Sequence, residues 1–176
     1  QQQRGRHRAG VPTALAALRA AHASGTRTLL NPAPAQAIPS EAWALIDVLT
    51  PNRTEAAILL GHAPDTDESP EDLARQLHAK GVGTVVITLG GDGCLIQDSS
   101  GVRTVPAVAP SAIVDTTGAG DSFTAALAVA LAQGESIDAA AQFATRAGAH
   151  TVAVAEVIPA LPRLSDLEHT TPTHHP

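Results

Sequence analysis

The sequence predicts an α/β fold, a three-layer sandwich on a mostly parallel central sheet, from two observations. Helix-period segments alternate with short apolar or β-branched runs, and a glycine-rich break stands directly before a long apolar helix. Residues 1–10 are polar, basic and unpatterned, which predicts a flexible N-terminal segment. Residues 12–24 place Leu15 and Leu18 at helical spacing and stop at Gly25, and 27–30 follow as a short strand. Ser40 reads as the cap of a helix over 41–45, and 46–49 as an apolar strand closed by Thr50-Pro51. Asn52 opens a short helix that ends at Gly61. Ser69 followed by Pro70 is an N-cap with proline at the first helical position, so a helix is expected over 70–80, ending at Gly81. Residues 84–89 (TVVITL) form a buried β-branched strand. The turn 90–93, the strand 94–97, the turn 98–101 and the strand 102–108 predict a locally antiparallel edge. Helices over about 121–133 and 136–149 complete an ordered portion of 11–163, and 164–176 is expected to be a flexible tail rich in Thr, His and Pro.

Composition narrows the chemistry. The chain has 176 residues, 44% of them hydrophobic and 16% charged, the balance of one folded domain and not of a disordered segment. Aromatic residues are only 2% (Trp43, Phe123, Phe143) and the net charge is -6, so both the stacking platform and the positive field of a nucleic-acid binder are lacking. A single cysteine, Cys94, cannot form an internal disulfide, and a buried inert thiol in a reducing cytoplasm is expected. The longest apolar run, 125–132, is far short of the ~20 residues that span a bilayer, so no membrane partner is expected. Arg4, Arg6, Arg8, Arg19 and Arg27 precede the first acidic residue, Glu41, as in a transit peptide, yet the same stretch reads as an ordinary helix and strand. The chain has no methionine and begins Gln-Gln-Gln, which suggests a missing front end. His169, His174 and His175 cluster in the tail, where solvation is favoured over metal binding, and His22, His62, His78 and His150 have no metal-site spacing.

The strongest chemical signal is Asp115-Thr116-Thr117-Gly118-Ala119-Gly120-Asp121 at the mouth of an apolar helix. Glycines there let backbone N–H groups approach an anion, and the helix N-terminus adds partial positive charge. The loop has neither the Gly-Lys-Ser/Thr of a Walker A loop nor the spacing of a dinucleotide fingerprint, which excludes a dehydrogenase of that type. Asp121 stands where a lysine would attract phosphate. A carboxylate suits that place if it takes a proton from a hydroxyl that attacks the phosphoryl group. The plainer alternative is that Asp121 caps its helix and Asp115 closes a turn. Asn52 and Glu55 are likewise explained by a capping box alone, and 90–93 by an ordinary glycine turn.

Four stretches in order, NPAPA at 31–35, TPNRTE at 50–55, TLGGDG at 88–93 and DTTGAGDSF at 115–123, resemble the motifs of ribokinase-like (PfkB-type) carbohydrate kinases, the first two most closely those of the ribokinase branch. The resemblance covers about 11–162 and implies the ribokinase-like fold without its N-terminal sugar-binding part and lid. It implies ATP-dependent phosphorylation of a sugar primary hydroxyl, ribose first and fructose or a nucleoside as alternatives. A truncated non-catalytic nucleotide-binding remnant is the rival of another class. By resemblance Asp121 is the catalytic base, and the amides of Gly118, Ala119 and Gly120 form an anion hole. Asn31, Glu55, Thr88, Leu89, Gly90, Gly91, Asp92, Gly93, Gly120 and Thr145 would hold ATP, the last at a place where Asn or His is common. Asn52 and Glu55 would order the magnesium environment through water. Asp115, Thr117, Thr151 and Val154 correspond to the shell of a monovalent cation. That shell departs from the family at Glu156, where glycine is usual, and at Ala160, where a small hydroxyl residue is usual, so little preference for potassium is expected. Sugar and ATP are the implied partners, with a homo-oligomer formed through the lid.

Overall fold

The computed structural model describes residues 10–154 and 161–168. They fall into two units that interleave in sequence, one holding residues up to Thr88 and Leu95–Arg103, the other Leu89–Cys94 and the chain from Thr104 onward. The single portion 11–163 expected from the sequence is thus divided.

The first unit is built on a sheet of order β1-β2-β3-β4-β5, with β1 Leu29–Leu30, β2 Val48–Leu49, β3 Thr84–Thr88, β4 Cys94–Asp98 and β5 Gly101–Val105. The first three strands are parallel, Leu29 opposite Val48 and Val48 opposite Thr84. The turns at 89–93 and at Ser99-Ser100 are too short for a crossover, so β4 and β5 run antiparallel to their neighbours. The sheet is therefore mixed, with the antiparallel edge where the sequence places it. Helix α1 (Gly10–Ala23) gives way to Gly25 at φ 68°, and α2 (Arg53–Leu60) to Gly61 at φ 82°. Helix α3 (Pro70–Ala79) begins at Ser69, whose hydroxyl accepts from the Asp72 amide, and buries Leu73, Ala74 and Leu77 as one stripe.

Two expectations are corrected here. Ser40 does not cap a helix: it lies inside a 3₁₀ segment, Ser40–Leu45, whose cap position is Pro39 with no side-chain bond. The Ala42 amide donates to the Pro39 carbonyl at 2.9 Å, the tighter repeat favoured in a single short turn. Strands β1 and β2 are also shorter than 27–30 and 46–49. A side-chain lattice replaces the ladder at that end: the Thr28 amide donates to Asp47 Oδ2 at 2.7 Å, and the Asp47 amide to Thr28 Oγ1 at 2.9 Å.

The second unit is helical. Helix α4 (Ala119–Ala132) closes at Gly134, and α5 (Ile137–Val152) starts at Ser136, which accepts from the Ala139 amide. The two helices pack on each other, α4 burying Ser122, Phe123, Ala126, Leu127, Ala130 and Leu131 and α5 burying four alanines, Thr145 and Thr151. β5 stops at Val105 and does not reach 108, because Pro106 has no N–H for a ladder and fixes its own φ. The first residues of the segment expected to be a flexible tail form α6 (Leu164–Glu168), with Leu167 buried. The histidines at 169, 174 and 175 lie outside the described residues. Among the described residues, no helix is long and apolar enough to cross a membrane.

Candidate active site

In the second unit, α4 begins two residues before Asp121, so Asp121 is not the helix cap. That position is held by Gly118 at φ 81° and ψ −3°, with no side-chain capping bond. Only glycine takes this left-handed conformation without strain. The Ala119 amide donates to the Thr116 carbonyl at 3.3 Å, and the Ser122 amide is the first held by the helix, on the Gly118 carbonyl at 2.9 Å. The amides of Gly120 and Asp121 lie between them in the first turn, where an α-helix offers no internal acceptor. A Cβ at Gly120 would meet no heavy atom within 4 Å, so the space before the turn is open. Asp121 is exposed, and among the described residues its carboxylate has no hydrogen-bond or ion-pair partner.

The loop ahead of that turn is tied down. Asp115 Oδ1 accepts from the Thr117 amide at 2.8 Å, and this bond, with a second from the Thr117 side chain, holds the Asp115 carboxyl below the usual carboxylate range. The Val152 carbonyl accepts from the Val114 amide at 2.8 Å and from the Asp115 amide at 3.3 Å. The Thr151 carbonyl accepts the Val154 amide at 3.3 Å, part of the closing turn of α5. Thr145 is buried, and its hydroxyl donates back to the Gln142 carbonyl at 2.9 Å. Glu156 and Ala160 lie outside the described residues.

The turn 89–93 also belongs to this unit. Gly90–Asp92 is one 3₁₀ turn, closed by the Leu89 amide on the Gly93 carbonyl at 2.8 Å, with Gly90, Gly91 and Asp92 exposed. Cys94, next in line, is fully buried; burial, and then the charge of Asp138, push its thiol up to about 12. That is the inert thiol expected.

In the first unit, the carboxyl ends of the parallel strands bring together Asn31, Asn52, Glu55 and Thr88. Asn52 and Thr88 form a parallel bridge that prolongs β2 beside β3, with the Thr88 amide on the Pro51 carbonyl at 2.9 Å. Asn52 and Glu55 form a complete capping box: the Glu55 amide donates to Asn52 Oδ1 at 2.8 Å and the Asn52 amide to Glu55 Oε2 at 2.9 Å. Their structural role is therefore real, and it leaves Glu55 Oε1 outside the box. Asn31 Oδ1 accepts from the Ala33 amide at 3.1 Å, which shapes the start of the NPAPA stretch. Among the described residues, no group of three His, Cys, Asp or Glu side chains could hold a metal ion directly.

Sequence reasoning missed the fastening of the 115–122 loop to α5. Besides the Val152 carbonyl, Thr151 Oγ1 is hydrogen-bonded to Ser122 Oγ at 2.8 Å and to the Ala147 carbonyl at 3.0 Å, with both hydroxyl residues buried. The available signal was the presence of hydroxyl residues, Ser122 and Thr124 on α4 and Thr145 and Thr151 on α5, in two alanine-rich helices.

The chain is 40% identical over 129 residues to the ribokinase of Haemophilus influenzae, a match that spans 73% of this chain and 42% of that protein. Crystal structures of ribokinases from Thermotoga maritima, and from Arabidopsis thaliana complexed with ribose and ATP, superpose with TM-scores of 0.77 and 0.79 at 31% and 32% identity. Each superposition covers 86% of this chain and, respectively, 51% and 49% of the other, so the chain spans about half the length of the relatives it matches. The sequence profile of the pfkB family carbohydrate kinases matches residues 9–164, nearly the whole chain, and the chain belongs to that family.

Proposed function

We propose that the chain is the carboxyl-terminal, nucleotide-binding and catalytic part of a kinase that transfers phosphate from ATP to a sugar primary hydroxyl, with ribose the favoured substrate. The observation that carries this reading is Asp121. Its exposed carboxylate, without a partner among the described residues, shares one helical turn with two amides that have no internal acceptor. A bare anion hole has no use for a carboxylate; a phosphoryl-transfer site does. In this reading the Ala119 amide of the implied set Gly118, Ala119 and Gly120 is engaged by the Thr116 carbonyl, so the amides of Gly120 and Asp121 and the partial positive charge of the α4 N-terminus stabilise charge on the transferring phosphoryl group. Asp121 accepts the proton of the attacking sugar hydroxyl as its oxygen bonds the γ-phosphorus of ATP and the bond from that phosphorus to the departing ADP breaks. Ribose is favoured because the ribokinases are the relatives matched, one of them in a complex with ribose and ATP.

Asn31, Thr88 and the 89–93 turn would bind the nucleotide. Magnesium, when bound with ATP, neutralises phosphate charge, and Glu55 Oε1, outside the capping box, would hold water of its shell. The test is coupled-assay turnover with D-ribose and ATP in the protein that carries this chain. Asp121→Asn should lower kcat by about 10²- to 10⁴-fold, with calorimetric binding of Mg-ATP retained. Gly120→Trp, whose side chain enters open space and not the core, should abolish that binding. Near-parental turnover in Asp121→Asn overturns the assignment of the base.

A further inference from the structure

We propose that Ser122 and Thr151 are positioning residues, a buried hydroxyl clasp that sets the direction in which the first turn of α4 presents Asp121 and its amides. The proposal rests on the reading of Asp121 as the base. Ser122 follows Asp121 in the chain and is 3% exposed, while Thr151 is wholly buried in the last turn of α5. Their oxygens are 2.8 Å apart, and Thr151 is anchored to its own helix through the Ala147 carbonyl at 3.0 Å.

The surroundings make this contact more than packing. The other buried side chains of α4 are apolar, Phe123, Ala126, Leu127, Ala130 and Leu131, and those of α5 are four alanines and Thr145. Apolar burial is non-directional and does not discriminate sharply between small rotations of α4. A buried hydroxyl pair does, because a small slip leaves a polar group without a partner and without water to replace it. The adjacent residue of α5 completes the arrangement. The Val152 carbonyl receives the amides of Val114 and Asp115, so two consecutive residues of α5 hold the 115–122 loop at both flanks. The loop can shift toward or away from a phosphoryl group only if α5 moves or the clasp breaks. Misplacement of a reacting group by about 1 Å costs on the order of 10²-fold in rate.

The experiment measures Ser122→Ala, Thr151→Val and the double variant by coupled-assay turnover in the protein that carries this chain. It also follows amide hydrogen exchange of the 176-residue chain. Each single variant should lower kcat by about 10-fold or more while KM for ATP changes little. The double variant should be no worse than the singles, and Thr151→Ser, which keeps the hydroxyl, should restore most of the rate. Exchange should quicken at Ser122, whose amide is held by the Gly118 carbonyl, and stay unchanged in the last turns of α4. Unchanged kcat in Ser122→Ala, with Asp121→Asn inactive, overturns the clasp alone. Retained turnover in Asp121→Asn overturns the base, and with it the clasp's catalytic purpose. Uniformly faster exchange along both helices, without rescue by Thr151→Ser, assigns the pair to general stability and also overturns the proposal.

Discussion

Gly93 holds φ 93° and ψ −127°, and a Cβ placed there would run into the Val105 carbonyl oxygen and the Ala107 amide. Gly91, two residues earlier in the same turn, is exposed and would place a Cβ in open space. Gly93→Ala should therefore destabilise the fold by at least about 1–3 kcal/mol from backbone strain alone, and Gly91→Ala by no more than about 0.5 kcal/mol. Urea unfolding of the two variants checks this, and equal midpoints would refute it. In the sequence these glycines are indistinguishable members of one GGDG turn. Their difference comes from β5 passing behind Gly93, which no local pattern records. Asp121 is the opposite case: its glycine loop and its helix were legible, because a helix entry is written in consecutive residues. The resemblance alone puts Thr145 among the nucleotide contacts; that its hydroxyl bonds the Gln142 carbonyl is a matter of the folded helix.

Among the elements, those begun or ended by a local signal match their sequence reading well. Ser69-Pro70, the Asn52–Glu55 box and Gly61 each satisfy or release backbone groups within a few residues, so α2 and α3 lie where expected. Strand ends depend on partners far away in sequence, and there the reading slipped, as at the Thr28–Asp47 lattice. The β4–β5 hairpin carries a device of its own. Arg103 donates to both oxygens of Asp98, at 2.8 and 3.1 Å, and the Ser100 amide adds a bond at 2.8 Å. The Arg103 hydrogen bond is the main cause that lowers the Asp98 carboxyl below its ordinary value of 3.8, partly opposed by burial. A carboxyl lowered in the folded state contributes stability above its unfolded value, and that contribution is lost as pH falls through the folded value. The stability gap between the parent and Asp98→Asn should thus be full near neutrality and shrink below about pH 4. Denaturation midpoints across a pH series measure it, and a gap that does not change with acidification would refute the account.

For the molecule as a whole, the cation shell implied by resemblance gathers at the end of α5. Asp115 already accepts from Thr117, and the Thr151 carbonyl already accepts from Val154. Sodium and potassium chloride at matched ionic strength should therefore support similar turnover, and strong selective activation by potassium would refute that expectation. The sequence by itself determined the fold class, the order of helices and strands, and, through four ordered motifs, the family. The elements rest on periodicity, capping residues and glycine placement, all short-range properties of the chain. Only the tertiary structure decided that the chain divides into two units, with 89–94 joining the helical one, and that α5 fastens both flanks of the loop before Asp121. Ser122 and Thr151 stand 29 positions apart. A contact over that distance is chosen by how two helices pack, and a pair of hydroxyls in alanine-rich segments acquires meaning only once burial removes the water that would otherwise satisfy them.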